Sequence, residues 1–213
     1  MYARLWRIID SEAGISENMY SQIGQDAWVL SRIAGPGYFV DIGATNGIEK
    51  SNTYALELAG WEGLCVEPNP QFYTDLTINR KCSLSSMAVY KESGIELDLI
   101  MAGEFSSLLP YINEDHHYRE RAGKSIYKVQ TITLDQLLAI NDVPNRIDYL
   151  SLDTEGAELE ILESFSWSYD IQLITIEHNN SKNKEPLAAL LESKGYKKAI
   201  EESHWEHWYE KGQ

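Results

Sequence analysis

The sequence has 213 residues, 43% of them hydrophobic and 11% aromatic, which is typical of an ordered globular domain and excludes a disordered chain. The formal net charge of −15 disfavours binding to nucleic acid or to an anionic membrane surface. No apolar stretch is long enough to span a bilayer, the first residues do not form a signal peptide, and Cys65 and Cys82 lie outside any metal-binding spacing. We therefore expect a cytoplasmic protein with a single domain over residues 1–213.

The first part of the chain is a lead-in to the first strand. Residues 1–35 are expected to be helical, starting with a short amphipathic helix in residues 1–14, and Gly35-Pro36-Gly37 ends this segment. The apolar residues 38–40 then lead to Asp41 and to a turn that contains glycines. A buried parallel strand delivers its carboxyl end to a ligand in this way.

Strands and helices then alternate along the chain. Further strands are predicted at residues 64–67, 87–90, 147–153 and 172–177, and helices at residues 51–60, 70–80, 133–140, 158–164 and 186–194. Residues 95–101 are a candidate extra strand, and residues 196–201 and 205–209 are expected to form a closing hairpin. The alternation predicts an α/β fold with a parallel sheet and right-handed crossovers. The irregular residues 102–130 are interpreted as a substrate lid, since long loops in compact domains are usually functional.

Four of the apolar strands lead to a carboxylate. These residues are Asp41, Glu67, Asp153 and Glu177. The carboxyl ends of parallel strands share one edge of the sheet, which is where ligands bind in open α/β folds. The acids are therefore predicted to line a functional site.

Glu67, at the second strand, is well placed to accept hydrogen bonds from both hydroxyls of a ribose. The glycines before it, Gly43 and Gly47, have the spacing Gly-x-x-x-Gly, which differs from the Gly-x-Gly-x-x-Gly of dinucleotide-binding folds. The combination favours a nucleoside-containing cofactor other than a dinucleotide.

These motifs together resemble the FkbM family of methyltransferases. The resemblance covers residues 20–200 and is carried by residues 21–26, 41–47, 51–53, 66–70, 147–156 and 176–179. It implies a class I methyltransferase fold: a Rossmann-like sandwich with a seven-stranded, mostly parallel sheet and helices on both faces. It also implies binding of S-adenosylmethionine and O-methylation of a hydroxyl on a sugar or another small metabolite.

The resemblance also implies roles for individual residues. The implied cofactor-binding residues are Asp41, Gly43 and Gly47 for the methionine part, Ser51 and Asn52 for its carboxylate, Glu67 for the ribose, and Ser86, Met87 and Ala88 beside the adenine, with Ala44 and Asp153 also in the binding site.

Methylation of an alcohol needs a base or a metal, because an alcohol is a poor nucleophile at neutral pH. Asp153, Glu177 and His178 are the candidate catalytic residues, with His178 attractive as a general base because imidazole titrates at about pH 6.5. Asp153 and Glu177 also resemble the acids that hold magnesium in metal-dependent O-methyltransferases, so Mg²⁺ is a candidate second cofactor.

Two other functions compete with this hypothesis. An NAD-dependent oxidoreductase would use Glu67 for its ribose, although the glycine spacing opposes it, and a non-catalytic cofactor-binding module would need none of Asp153, Glu177 or His178. The expected partner is a small-molecule or saccharide acceptor, with neither nucleic acid nor membrane involved. The N-terminal helix and the C-terminal hairpin are candidate contacts of a homodimer.

Overall fold

A computed structural model describes residues 19–113, 116–202 and 205–212, so the helix predicted in residues 1–14 lies outside the described residues. The helices are α1 (Gln25–Arg32), α2 (Tyr54–Leu58), α3 (Pro70–Asn79), α4 (Tyr118–Arg121), α5 (Leu134–Ile140), α6 (Glu158–Ser164) and α7 (Lys184–Ser193). The strands are β1 (Tyr38–Ile42), β2 (Glu62–Val66), β3 (Ser83–Ser85), β4 (Ala88–Val89), β5 (Glu96–Ile100), β6 (Ser107–Leu108), β7 (Ile126–Ile132), β8 (Arg146–Leu152), β9 (Asp170–Glu177), β10 (Tyr196–Glu202) and β11 (Glu206–Lys211). Within these ranges no helix is both long and apolar enough to cross a membrane.

The main sheet has seven strands in the order β10-β11-β9-β8-β1-β2-β3. Strand β11 runs antiparallel to both of its neighbours, and the other strands run parallel to one another. The chain order reverses between β1 and β8, because β2 and β3 continue to one side and β9 to the other. A crevice forms at the carboxyl ends of the strands at such a reversal. The predicted seven-stranded, mostly parallel sheet is confirmed.

Each face of this sheet has its own apolar core, because successive side chains of a strand point to opposite faces. The α1 face packs Phe39, Cys65, Tyr149, Leu173 and Trp208 of the sheet against Trp28, Val29, Leu56 and Leu76 of α1, α2 and α3. The α5 face packs Val40, Leu64, Leu150 and Ile174 against Leu137, Ile161 and Leu187 of α5, α6 and α7. Helices therefore cover both faces, as predicted.

The prediction of the third strand of the parallel sheet was wrong. Residues 87–90 were expected there, but β3 pairs with β2, while β4 leaves the sheet and pairs with β7. Strand β3 lies at the edge of the sheet and has only one neighbour, so its polar sequence Ser-Leu-Ser is tolerated although it lacks an apolar pattern.

A second sheet, in the order β4-β7-β5-β6, follows the third strand. The extra strand expected at residues 95–101 is confirmed as β5. Residues 102–130 are not one irregular loop, since they form a 3₁₀ turn (Gly103–Phe105), β6, a second 3₁₀ turn (Leu109–Tyr111), α4 and part of β7. This segment therefore has a defined structure over the crevice.

A buried arginine joins α2 and α3 to the loop that follows β1. The side chain of Arg80 is 0% exposed, and its Nε lies 2.7 Å from Glu57 Oε2. Its Nη1 donates to the carbonyl oxygen of Gly47 at 3.2 Å, and its Nη2 donates to the hydroxyl of Thr53 at 3.1 Å. One guanidinium thus fixes the loop through which β1 enters the crevice.

We expect Arg80→Ala to lower the free energy of unfolding by roughly 3–5 kcal/mol, because it leaves Glu57 without the cation that compensates its desolvation. The matched control is Arg32→Ala, which removes a surface ion pair with Glu210 and is expected to cost at most about 1 kcal/mol. Urea unfolding of both variants gives the comparison. Equal losses would mean that the Arg80 network contributes no more than a surface pair.

Candidate functional site

A row of carboxylates crosses the carboxyl edge of the main sheet on the α1 face. Leu152 pairs with Ile42 and with Ile176, so the next residues, Gly43, Asp153 and Glu177, lie at the same level. Glu206 of β11 pairs with Glu177 and extends this level by one strand. We call Asp153, Glu177 and Glu206 the acidic row. It begins beside Gly43, at the reversal of the strand order.

A cleft lies over the acidic row. Its larger part has a volume of about 460 Å³ and is lined by Gln22, Gln25, Asp41, Ala44, Ser51, Asn52, Trp205 and the acidic row, among others. A smaller part of about 60 Å³ extends to Val66, Glu67, Ala88 and Val89. Both parts share Gly43, Thr45, Phe72, Gly103, Glu104 and Asp153, so they form one continuous cleft.

The two glycines of the β1 loop have different roles. Gly43 has φ 92°, and a Cβ there would lie 1.9 Å from the carbonyl oxygen of Asp153, so only glycine allows β1 and β8 to approach so closely. Gly47 was predicted to bind cofactor, but it does not line the cleft. A Cβ at Gly47 would lie 2.6 Å from Leu76 and 2.7 Å from Arg80, so this glycine permits packing against α3.

Glu67 is 5% exposed and is held in one orientation by backbone groups. Its Oε2 accepts from the backbone N–H of Thr45 at 3.0 Å, and its Oε1 accepts from that of Asn69 at 2.7 Å. Burial raises the pKa of this carboxyl to about 7, although the two hydrogen bonds act in the opposite direction. Each carboxyl oxygen keeps a second acceptor position for a ligand hydroxyl.

The predicted residues near the start of α2 do reach the cleft. The hydroxyl of Thr53 donates to Asp41 Oδ2 at 2.6 Å, and Asn52 Nδ2 donates to Ser151 Oγ at 3.0 Å. Ser51 Oγ accepts from the backbone N–H of Tyr54 at 3.1 Å. Burial raises the pKa of Asp41, an effect that the hydrogen bond from Thr53 reduces.

Asp153 and Glu177 form a coupled pair of acids, joined by a hydrogen bond between their side chains. Burial raises the pKa of Asp153 to about 6, and burial together with the charge of Asp153 raises that of Glu177 well above its ordinary value. Ionisation of one acid therefore disfavours ionisation of the other. Asp153 Oδ1 is buried and accepts no hydrogen bond within the described part of the chain.

Glu155 lies next to this pair, and the three carboxylates together are residue types that can form a metal site. One carboxyl oxygen from each of Asp153, Glu155 and Glu177 lies within 4.8 Å of the others. However, Arg121 Nη2 lies 2.9 Å from Glu155 Oε2, and Asn179 Nδ2 donates to Glu177 Oε2 at 2.7 Å and to Glu155 Oε2 at 3.2 Å. The donor types suit Mg²⁺, but this arrangement leaves only Asp153 without an internal cation or amide donor.

His178, predicted as a general base, lies beside the cleft residue Glu177 but does not itself line the cleft. The residue is 3% exposed and packs against His207 with ring centroids 4.2 Å apart. Its Nδ1 accepts from the backbone N–H of Asn180 at 3.0 Å, which supports the turn after β9.

Ser86 and Met87 are also outside the cleft. Ser86 is exposed and Met87 packs against the core of the α5 face, whereas Ala88, from the same predicted segment, lines the cleft together with Val89. Ser86 and Met87 lie outside the cleft because the third strand of the main sheet is β3 and not residues 87–90.

Several residues of the site escaped the sequence analysis. Glu206 lines the cleft and could have been found, since it is two residues from the buried Trp208 on a predicted strand and so shares its face. Gln25, which belongs to the motif at residues 21–26 but was given no role, reaches the cleft from α1, and Phe72 reaches it from α3. Arg121 is 4% exposed and donates from Nε to the carbonyl oxygen of Phe105 at 2.8 Å, which fastens the 102–130 segment to Glu155.

The strand order and the position of the cleft are those of a class I methyltransferase fold. The sequence model described as "Methyltransferase FkbM domain" matches residues 41–198. The chain belongs to the FkbM methyltransferase family. No curated protein sequence matches it significantly.

Solved structures of methyltransferases are similar to this chain at low sequence identity. The methyltransferase FkbM from Methylobacillus flagellatus KT has a TM-score of 0.53 and 12% identity over 82% of this chain and 43% of its own, so the present chain spans less than half of that relative. A TehB-like SAM-dependent methyltransferase from Corynebacterium glutamicum has a TM-score of 0.48 and 9% identity over 99% of this chain and 96% of its own. The 1,6-didemethyltoxoflavin-N1-methyltransferase of Burkholderia thailandensis has a TM-score of 0.46 and 12% identity over 100% and 88%.

We expect Glu67→Gln to flatten the pH dependence of stability in the ligand-free protein between about pH 4.5 and 7. The folded protein holds a proton on Glu67 that the unfolded chain has released, so stability present below pH 4.5 is lost as the pH rises through 7. The difference between a pKa of 4.5 and one of about 7 corresponds to roughly 3 kcal/mol.

Urea unfolding at pH 5 and pH 8 measures this effect, with Glu62→Gln at the exposed start of β2 as control. If Glu67→Gln keeps the full wild-type difference in unfolding free energy between the two pH values, other acids account for the pH dependence.

Proposed function

We propose that the protein transfers the methyl group of S-adenosylmethionine to a hydroxyl of a sugar or another small hydroxylated metabolite. The observation that carries the proposal is the continuous cleft at the strand-order reversal, with Gly43, Glu67 and Asp153 around it in a member of a methyltransferase family. The size of the cleft and its acidic lining suit a cofactor with a positively charged sulfur.

The residues present fit this cofactor in type. Asp41 offers a negative charge to the ammonium of its methionine part, while Gly43 and Ala44 leave room for that part to approach the backbone. Glu67 offers two oriented oxygens to the ribose hydroxyls. Ala88 and Val89, rather than Ser86 and Met87, offer an apolar surface to the adenine.

Asp153 is proposed as the general base. When bound, S-adenosylmethionine supplies a methyl group on a positively charged sulfur. Asp153 Oδ1 accepts the proton of the acceptor hydroxyl, and the protonated Glu177 holds the Asp153 carboxylate in place by their shared hydrogen bond. A base with a pKa of about 6 is mostly ionised at neutral pH and is still basic enough to assist proton removal.

Magnesium is the alternative role for the same acids. Arg121 already supplies a cation to Glu155, and Asn179 already donates a hydrogen bond to Glu177. We therefore favour proton transfer to Asp153 over a metal held by Asp153 and Glu177.

The purified protein should bind S-adenosylmethionine and S-adenosylhomocysteine with about micromolar affinity in calorimetric titrations, and Glu67→Ala should weaken both by roughly tenfold to a hundredfold through the lost ribose contacts. NAD is titrated as the competing cofactor. Binding of NAD without either sulfur compound would assign Glu67 to a nicotinamide cofactor and overturn the proposal.

Asp153→Asn should lower kcat about 10²- to 10⁴-fold, because an amide cannot take up the proton, while the affinity for S-adenosylhomocysteine changes little. In the wild type, kcat should fall as the pH drops below about 6 and Asp153 becomes protonated. The assay follows transfer of labelled methyl groups to a panel of sugars.

Glu163→Gln, on an exposed position of α6, is the matched control and should keep full turnover. The same assays are run after dialysis against EDTA and with added Mg²⁺. Turnover that disappears with EDTA and returns with Mg²⁺ would reassign Asp153 and Glu177 as metal ligands, and binding without any turnover would favour a cofactor-binding module.

A further inference from the structure

We propose that Cys65 and Cys82 form a reversible disulfide with each other when the protein meets an oxidising disulfide, and that this bond loosens the loop after β1. Neither cysteine lines the cleft or takes part in the proposed methyl transfer. The bond and the loosening of the loop do not depend on the proposed function. A further effect, weaker binding of the cofactor, rests on it.

The two thiols meet on the α1 face of the main sheet. Cys65 of β2 pairs with Leu84 of β3, and Cys82, two residues before Leu84, therefore points to the same face. Cys82 packs there against the apolar core that contains Cys65. Both cysteines are free, and their Sγ atoms lie 3.6 Å apart. Because an S–S bond is about 2.05 Å long, the sulfur atoms need to approach by only about 1.5 Å.

The two cysteines differ in how easily their backbones can move. Cys65 is 0% exposed and lies in β2, which pairs with β1 on one side and with β3 on the other. Cys82 is only half-buried and lies in a bend before β3, which is the edge strand. We therefore expect the bond to form mainly by movement of Cys82 toward Cys65.

A movement of Cys82 reaches the Arg80 network, because the residues before it are anchored to α2. Glu57 of α2 accepts from Arg80 Nε at 2.7 Å and from the backbone N–H of Lys81 at 2.9 Å. The same guanidinium donates to the carbonyl oxygen of Gly47 at 3.2 Å and interacts electrostatically with both thiols.

The Arg80 side chain is 0% exposed, so it is packed on all sides and cannot adjust freely. A displacement of about 1 Å would lengthen its bond to Gly47 beyond the range of a hydrogen bond. The loop that carries Gly43 and Ala44 into the cleft would then lose the contact that fixes its far end. The disulfide and the ordered loop thus compete for the position of Arg80.

The redox step is a thiol–disulfide exchange with a low-molecular-weight disulfide such as oxidised glutathione. Cys82, the more exposed thiol, attacks one sulfur of the oxidant, so that a mixed disulfide forms and one glutathione leaves. Cys65 then attacks Cys82 Sγ and releases the second glutathione. The protein thiols lose two electrons to the oxidant, and their two protons end on the two glutathione thiols. Burial raises the pKa of Cys65 well above its ordinary value, so Cys65 is the second thiol to react.

The full chain is first reduced, separated from the reductant and incubated with oxidised glutathione, and its intact mass and free thiols are measured. Cys65 and Cys82 are the only cysteines of the chain, so the result is unambiguous. We expect both thiols to disappear together, the mass to fall by two hydrogen atoms, and dithiothreitol to reverse the change. Unreacted thiols, a persistent mixed disulfide or a disulfide-linked dimer would each overturn the proposal.

Two single variants separate the steps of the exchange. Cys65→Ala leaves Cys82 without the second thiol, so the mixed disulfide with glutathione should accumulate. Cys82→Ser leaves only the buried Cys65 and should react at least roughly tenfold more slowly. Equal rates in the two variants would contradict the roles given to the thiols. If Cys65→Ala does not fold, the wild type and Cys82→Ser decide.

Hydrogen exchange measures the loop without any ligand. Amides of residues 43–51 should exchange at least about fivefold faster in the oxidised than in the reduced wild type, because their anchor to Arg80 is lost. Amides of α5, on the opposite face of the sheet, should keep their rates. Cys82→Ser treated with the same oxidant is the matched control and should show no change. Unchanged exchange at residues 43–51 of the oxidised wild type would overturn the loosening of the loop.

The effect on the cofactor site is measured by calorimetric titration of S-adenosylhomocysteine into the reduced and the oxidised protein. The oxidised form should bind at least about fivefold more weakly. Equal affinities would overturn the effect on the cofactor. If the reduced protein does not bind S-adenosylhomocysteine, the proposed function fails, and the mass and exchange measurements still decide whether the disulfide forms and loosens the loop.

Discussion

Desolvation of carboxylates at one edge of the sheet is the constraint on which the rest of the structure depends. Asp41, Glu67, Asp153, Glu177 and Glu206 all have pKa values raised above the ordinary range, with burial as the largest cause in each case. Buried anions are tolerated only with cations, protons or hydrogen-bond donors beside them. Positive charge and hydrogen-bond donors are therefore favoured at this edge of the sheet.

The side chains of the α1 face are arranged in levels that allow the fold to tolerate these buried carboxylates. Far from the edge the face is apolar, with Tyr149 and Leu173 packed against helices. One level higher the side chains are hydroxyls, and the Tyr149 and Thr175 oxygens lie 2.6 Å apart. The acidic row occupies the last level, and Asp41 lies at the hydroxyl level, where it pairs with Ser151. The dry core is thus separated from the charged edge by groups that can donate hydrogen bonds.

Much of the fold followed from the sequence because its signals are local. The strands that lead to Asp41, Asp153 and Glu177 are buried on both faces, so their sequences are largely apolar and predict strands. The edge strand β3 has no such pattern, since it is short, polar and stabilised by one neighbour, and this misplaced Ser86 and Met87. The sequence predicts which residues lie near an edge, but it does not indicate which way they face.

The face to which each side chain points determined which predicted residues belong to the site. Asp153 and Glu177 share a level of the sheet and face the cleft, whereas the next residue, His178, turns into the protein beside His207. Of the residues that were missed, Glu206 could have been found from the alternation of its strand, whereas the position of Arg121 depends on tertiary packing with Glu155 and Phe105. Acids at the ends of predicted strands indicate where the site lies. The residues that form it are known only once the pairing register of the strands is known.

Arg121 gives the segment over the cleft a thermodynamic link to the charge beneath it. Its guanidinium bonds both to the carbonyl oxygen of Phe105 and to Glu155, which lies within the acidic neighbourhood of Asp153 and Glu177. Coupling of this kind is reciprocal. Negative charge in the cluster strengthens the attachment of the segment, and a cation that arrives there competes with Arg121 and weakens it. The cover of the cleft thus responds to the charge of what the cleft contains.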